Sequence, residues 1–131
     1  MVKDLSYYKD LYVKTAYDYL EKIKNGISQL LKTPHNKEIV NDIYISIHAL
    51  KSQSMAMGYS KTAYLCNVIE SIFKEIKEER KEAEPNLMTL TLNSLEKLSK
   101  SVAGIKNENS EIDLSEETKK LSEAGGIKLN F

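Results

Sequence analysis

Apolar residues recur at three- and four-residue spacing along nearly the whole chain, and no segment alternates with a period of two. Leu11, Tyr12, Tyr19, Leu20, Ile23, Ile27, Leu30 and Leu31 form one stripe, which predicts a first helix over 6–32. Gly26 lies inside it, but the stripe continues in phase beyond, so the helix continues too. Thr33-Pro34-His35 reads as a stop and turn, because Pro34 biases its predecessor out of the helical region. Asn36 is the expected N-cap of a second helix, with Glu38 in its first turn, ending near Met57 where Gly58 supplies a left-handed residue. Ser60 is expected to cap a third helix running to about Lys81. Pro85 suits the first position of a fourth, expected to end at Gly104, with Leu87, Leu90, Thr91, Ser94, Leu95, Leu98 and Val102 as its stripe. Residues 105–112 read as an exposed linker. Asp113 and Glu116 have capping-box spacing for a short fifth helix to about Ala124, before Gly125-Gly126 release a tail. The expected fold class is all-α: an antiparallel up-and-down four-helix bundle over 1–104, then linker, short helix and tail over 105–131. The fifth helix could dock on the bundle or stay free of it.

At 131 residues one domain with a real core is expected. Nineteen basic and nineteen acidic residues cancel, which argues against nucleic acid or an anionic membrane as partner, since both require a basic face. No stretch has the apolar length of a membrane span, and the opening MVKDLSYYKD lacks the apolar core of a signal peptide. Cys66 is the single cysteine, so no internal disulfide points to an oxidising compartment. A cytoplasmic, monomeric protein is expected. Five scattered glycines form no phosphate-cradling loop, so the chain carries no ATP site of its own. His35, His48 and one cysteine complete no zinc-ligand spacing; neither metal nor cofactor is expected.

One residue does not fit a plain bundle. On the second helix Ile39, Ile43, Ile47, Leu50, Ser54 and Met57 cluster on a side centred about 140° from His48, which therefore points outward in mid-helix. Lys51 and Ser52 follow on its own face, with Tyr44 one turn before and Met55 two turns after. If the second and third helices form a hairpin about Tyr59, then His48 and Glu70, each eleven residues from it, lie at one level. Glu70 sits roughly 130° from the stripe of Leu65, Ile69, Ile72 and Ile76. A histidine, a lysine and a glutamate can thus meet outside one helix pair. Such a set suits a phosphoryl carrier: an imidazole whose Nδ1–H is held by a carboxylate presents Nε2 as a free nucleophile in the right tautomer. A lysine one turn on can neutralise an incoming phosphoryl group as a point charge.

The stretch HALKSQSMAMGY, His48 to Tyr59, resembles the H-x-x-K-G-x-x-x-x-x-G signature of histidine phosphotransfer (HPt) domains, in particular those at the N-terminus of CheA-type chemotaxis kinases. The opening DLSYYKDLYVKTAYDYLEKI and the later NVIESIFKEI extend the similarity over roughly residues 5–80. The resemblance implies that His48 is phosphorylated, that Glu70 orients its ring, and that Lys51 lines the phosphoryl site. Gly58 matches the second glycine of the signature and serves the turn. It also implies the partners of a two-component phosphorelay: a kinase's ATP-binding domain, in cis or in trans, and a response-regulator receiver domain. There are two departures. Ser52 stands where the family has glycine, and Asn67 where some members carry a second histidine beside the orienting glutamate. The alternative is a catalytically silent helical bundle that docks a signalling partner, which Ser52 favours.

Other residues read more plainly. Cys66 should border the core and His35 lie exposed in its turn. Met57 should pack inward and Met55 stand on the His48 face as a docking contact. The charged run from Lys74 to Glu84 reads as a solvated helix end.

Overall fold

The computed structural model describes residues 5–129, with side chains from Ser6 onward. It holds five helices: α1 (Leu5–Leu30), α2 (Lys37–Ala56), α3 (Ser60–Lys77), α4 (Pro85–Glu108) and α5 (Ser115–Gly125). α1 packs on α2 and α4, and α3 packs on the same two, so short loops carry the chain up and down around one core. The expected all-α bundle is what forms. Ile23, Ile27, Ile43, Ile47, Leu65, Ile69, Phe73 and Leu98 are fully buried at its centre. Gly26 lets α1 and α2 approach, since a Cβ there would lie 2.8 Å from Cγ1 of Ile43. Two members of the expected first stripe are exposed instead: Leu11 faces solvent before the core begins, and Leu31 lies past the helix end. Val13 and Ala16 take inward positions, because the buried face is centred on Tyr12, Leu20, Ile23, Ile27 and Leu30.

Helix ends show where local chemistry overrides the pattern. Asn36 caps α2 as expected, its Oδ1 accepting from the Ile39 N–H at 3.1 Å. Gly58 (φ 81°) closes α2 in a Schellman turn, with Tyr59 N–H to the Ser54 carbonyl at 2.9 Å and Gly58 N–H to that of Met55 at 3.0 Å. α3 stops at Lys77 rather than Lys81, one residue past its last buried side chain, Ile76. Glu79 takes the left-handed conformation (φ 61°), Arg80 N–H bonds the Glu75 carbonyl, and the Arg80 guanidinium pairs with Glu75 at 2.5 Å and with Glu78. α4 does not end at Gly104. It continues to Glu108 because Ile105 extends the buried stripe, and Asn109 (φ 54°) becomes the left-handed terminator. Gly104 serves another purpose: a Cβ there would meet the Ser110 carbonyl oxygen at 2.6 Å, so its bareness lets the chain fold back.

Residues 105–112 are not the free linker that their polarity suggests. Ile105 is buried and Ile112 packs against the core. The Glu111 carboxylate accepts from the backbone N–H of Thr62 at 2.7 Å and of Lys61 at 3.4 Å. It thereby caps α3, whose own N-terminus has no side-chain cap at Tyr59, and Ser60 is helical rather than the cap. Asp113 accepts from Ser115 N–H at 3.0 Å, but Glu116 pairs forward with Lys120 at 2.8 Å, so the capping box does not close. α5 docks across α3 and α4, burying Thr118, Leu121 and Ser122 behind Leu114, and ends one residue later than Ala124 with Gly126 (φ 66°) as terminator. Among the described residues, no helix is long and apolar enough to cross a membrane.

Candidate functional site

The inward face of α2, carrying Ile43, Ile47, Leu50 and Ser54, leaves His48 on the far side with its side chain 56% exposed. Glu70 comes from α3. The wheel places it outside the apolar stripe, yet it is buried, because α3 lies under α2, α4 and α5 together and only a narrow strip of it reaches the surface. A carboxylate in that position needs partners, and it has two. Nδ1 of His48 bonds its Oε2, and the Lys51 ammonium donates to its Oε1 at 2.5 Å. The equal spacing about Tyr59 therefore does bring His48 and Glu70 together, and Lys51, one turn beyond His48, reaches the same carboxylate.

This division of the carboxylate has a chemical consequence. With Nδ1–H committed to Glu70, the second ring nitrogen, Nε2, carries the available lone pair of a neutral imidazole. Among the described residues it has no hydrogen-bond partner. Lys51 is four-fifths buried and holds Glu70 directly, rather than standing free beside the ring. The Tyr44 ring lies alongside that of His48, with centroids 6.4 Å apart and planes inclined by 23°. Above Tyr44, in turn, sits the ammonium of Lys77, 4.7 Å from the ring centre. Lys77 was not legible as part of the site, since it falls within a charged helix end; its signal is a place about one turn beyond the level of Tyr44 in the α2–α3 hairpin.

The remaining candidates rim the site. Ser52 is exposed one turn after His48, and Met55 is 62% exposed beyond it. Asn67 is exposed one turn before Glu70, and no side-chain bond joins it to His48 or Glu70 among the described residues. Lys51, Met55, Gly58, Tyr64 and Asn67 line a shallow hollow of about 500 Å³, which His48 itself does not line. Met57 is half-buried against the core, and His35 is exposed, 3.7 Å from Glu82. Cys66, one turn before Glu70, is fully buried; burial first, then the neighbouring carboxylate, push its thiol far up, so it stays protonated and inert. Among the described residues, no three His, Cys, Asp or Glu side chains gather where they could hold a metal.

A family model described as "Hpt domain" matches residues 8–107, which include α2, α3, the His48–Glu70–Lys51 cluster and nearly all of α4. The chain belongs to the Hpt domain family. This Hpt domain is similar to chemotaxis protein CheA of Bacillus subtilis, 26% identical over 123 residues, 93% of this chain and 18% of that protein. It is likewise similar to CheA of Listeria monocytogenes, 26% identical over 98 residues, 75% of this chain and 16% of that protein. The chain thus spans less than a fifth of the length of these relatives. Its fold matches the solution structure of the histidine phosphotransfer domain of CheA with a TM-score of 0.83, at 21% identity, over 97% of this chain and all of that one. That match extends past α4, so the docked α5 is part of the shared architecture rather than an appendage.

Proposed function

We propose that this Hpt domain accepts a phosphoryl group on Nε2 of His48 from ATP held by a kinase's ATP-binding domain, and passes it to the aspartate of a response-regulator receiver domain. The observation that supports this reading best is the sharing of Glu70: one oxygen on Nδ1 of His48, the other on Lys51. As Nε2 attacks phosphorus, the bond from phosphorus to the leaving ADP oxygen breaks and the ring acquires positive charge. Glu70, at Nδ1–H, faces that charge and stabilises it. Lys51 holds the carboxylate in place through its bond to Oε1, and its own charge lies one turn from the phosphoryl group. Ser52 is small enough to leave Nε2 approachable, Tyr44 borders the ring, and Met55 and Asn67 form the surface that a partner domain covers. Lacking a nucleotide loop, the chain depends on a kinase domain in cis or in trans. The CheA likeness supports chemotaxis as the signalling context, and the reading takes the domain to act in the cytoplasm as a monomer.

The test mixes the domain with ATP and the catalytic core of a CheA-type kinase, and reads intact mass and acid lability for wild type and His48→Gln. An acid-labile phosphoryl group, absent from His48→Gln and drained by a receiver domain, is the expected result. No transfer from a kinase active on its own phosphotransfer domain would replace this reading with that of a bundle that only docks a signalling partner.

A further inference from the structure

Glu70 fixes one atom of the His48 ring, and a single hydrogen bond leaves the ring free to tip about its own axis. The lone pair of Nε2 lies in the ring plane. In-line attack on phosphorus therefore needs that plane set as well as the tautomer. The group placed to set it is Tyr44, one turn earlier on α2, whose ring lies 6.4 Å from the imidazole at 23° to it, within the range of aromatic pairing. Tyr44 is itself restrained twice over. Its base packs against the core, and its ring lies under the ammonium of Lys77, the last residue of α3, at 4.7 Å, a cation–π distance. Neither contact passes through Glu70. The His48 ring thus meets two restraints of different kinds, one on its Nδ1 atom and one on its plane.

We propose that Tyr44, pinned by Lys77, is a positioning residue that holds the His48 ring plane for phosphoryl transfer. This rests on the phosphoacceptor role of His48 argued above. In the step it serves, the bond from Nε2 to phosphorus forms, the bond from phosphorus to the donor oxygen breaks, and the leaving group keeps the electron pair. Tyr44 touches none of those atoms; it narrows the orientations from which they react. A purely docking role for the same ring would act on partner affinity instead, and that difference decides the test.

Two readouts are taken on folded variants matched in circular dichroism. The first is NMR of the His48 ring in the free domain, where Tyr44→Leu is expected to remove the ring-current displacement of the imidazole protons and increase ring mobility. The second is phosphorylation by a CheA-type kinase core with ATP, varying the domain concentration. Tyr44→Leu is expected to lower the maximal rate about 5-fold, the scale of an aromatic contact, with KM changed less than about twofold. Tyr44→Phe should recover most of that loss. Lys77→Met should lower the rate about 2- to 3-fold, the scale of an exposed cation–π contact, and have no further effect in the Tyr44→Leu background. Lys77→Arg should behave as wild type. An unchanged maximal rate with raised KM, or a Lys77→Met effect that persists without the tyrosine ring, overturns the proposal. So does a His48 ring whose mobility ignores Tyr44→Leu. A wild-type domain that takes no phosphate refutes the parent reading instead, and the NMR arm still reports on the stack.

Discussion

Replacing Glu70 with glutamine keeps the length of the side chain and removes its charge, and two partners lose it at once. The Lys51 side chain is 19% exposed and that of Glu70 11%, so the lysine cannot regain full hydration simply by swinging outward. A hydrogen bond to a charged group is worth roughly 1.5–3 kcal/mol, and a buried charge stripped of its partner costs a similar amount. The half-exposed His48 regains water and offsets part of this. A net loss of about 2 kcal/mol follows, or roughly 6–10 °C in Tm for a domain of this size. Loss of ring orientation should slow phosphoryl uptake by about 10- to 100-fold, the scale of a misplaced reacting group. The two effects separate in the double variant Glu70→Gln/Lys51→Met. With no charge left unpaired, stability should recover by about 1 kcal/mol, while transfer stays slow. Urea melts read the first quantity, and single-turnover phosphorylation by a kinase core reads the second. If Glu70→Gln transfers at the wild-type rate, or if adding Lys51→Met restores transfer together with stability, the division of labour around this carboxylate is wrong.

Glu111→Ala should destabilise by about 1 kcal/mol, the value of a helix cap, with amide exchange accelerating first at Lys61 and Thr62. Glu79→Gly should stabilise by about 1 kcal/mol in a urea melt, because Glu79 sits at φ 61° and the exposed Lys37 pair it forfeits is worth little. Asp113 has its carboxyl held below the usual aspartate range by the Ser115 backbone N–H, then by the Ser115 side chain. A depressed pKa gives stability that is present above the unfolded value of 3.8 and lost as pH falls through the folded one. The difference in urea midpoint between wild type and Asp113→Ala should accordingly hold at pH 6 and close below that range.

Most of the fold and the centre of the site were legible because period and spacing are geometric. Ile43, Ile47 and Leu50 place His48 outward on any α-helix, and equal distances from Tyr59 place Glu70 at its level. Helix ends were less legible, because they depend on which carbonyls and N–H groups find partners. Glycine at 104 reads as a stop, yet Ile105 had one more buried place to fill and Asn109 could adopt the left-handed turn. Tertiary contacts beyond the α2–α3 hairpin level were invisible. Nothing local in IKNENSEI says that Glu111 caps a helix beginning fifty residues earlier, nor that Lys77 covers a tyrosine on α2. The burial of Glu70 was missed for the same reason: a helical wheel knows one neighbour at a time, whereas α3 has three.

The carboxylate of Glu111 ties the order of synthesis to the completion of the site. A chain emerging N-terminus first has all four bundle helices in hand at Glu108, yet the first turn of α3 still has two open backbone donors. They close only when the next few residues are made, and Leu114 and Leu121 then cover α3 from outside. The helix that carries Glu70 is thus locked from its far end by the last part of the domain to appear. A nascent or truncated chain ending near 104 holds every residue of the phosphoryl site while lacking the bolt that keeps one of its two supports in register.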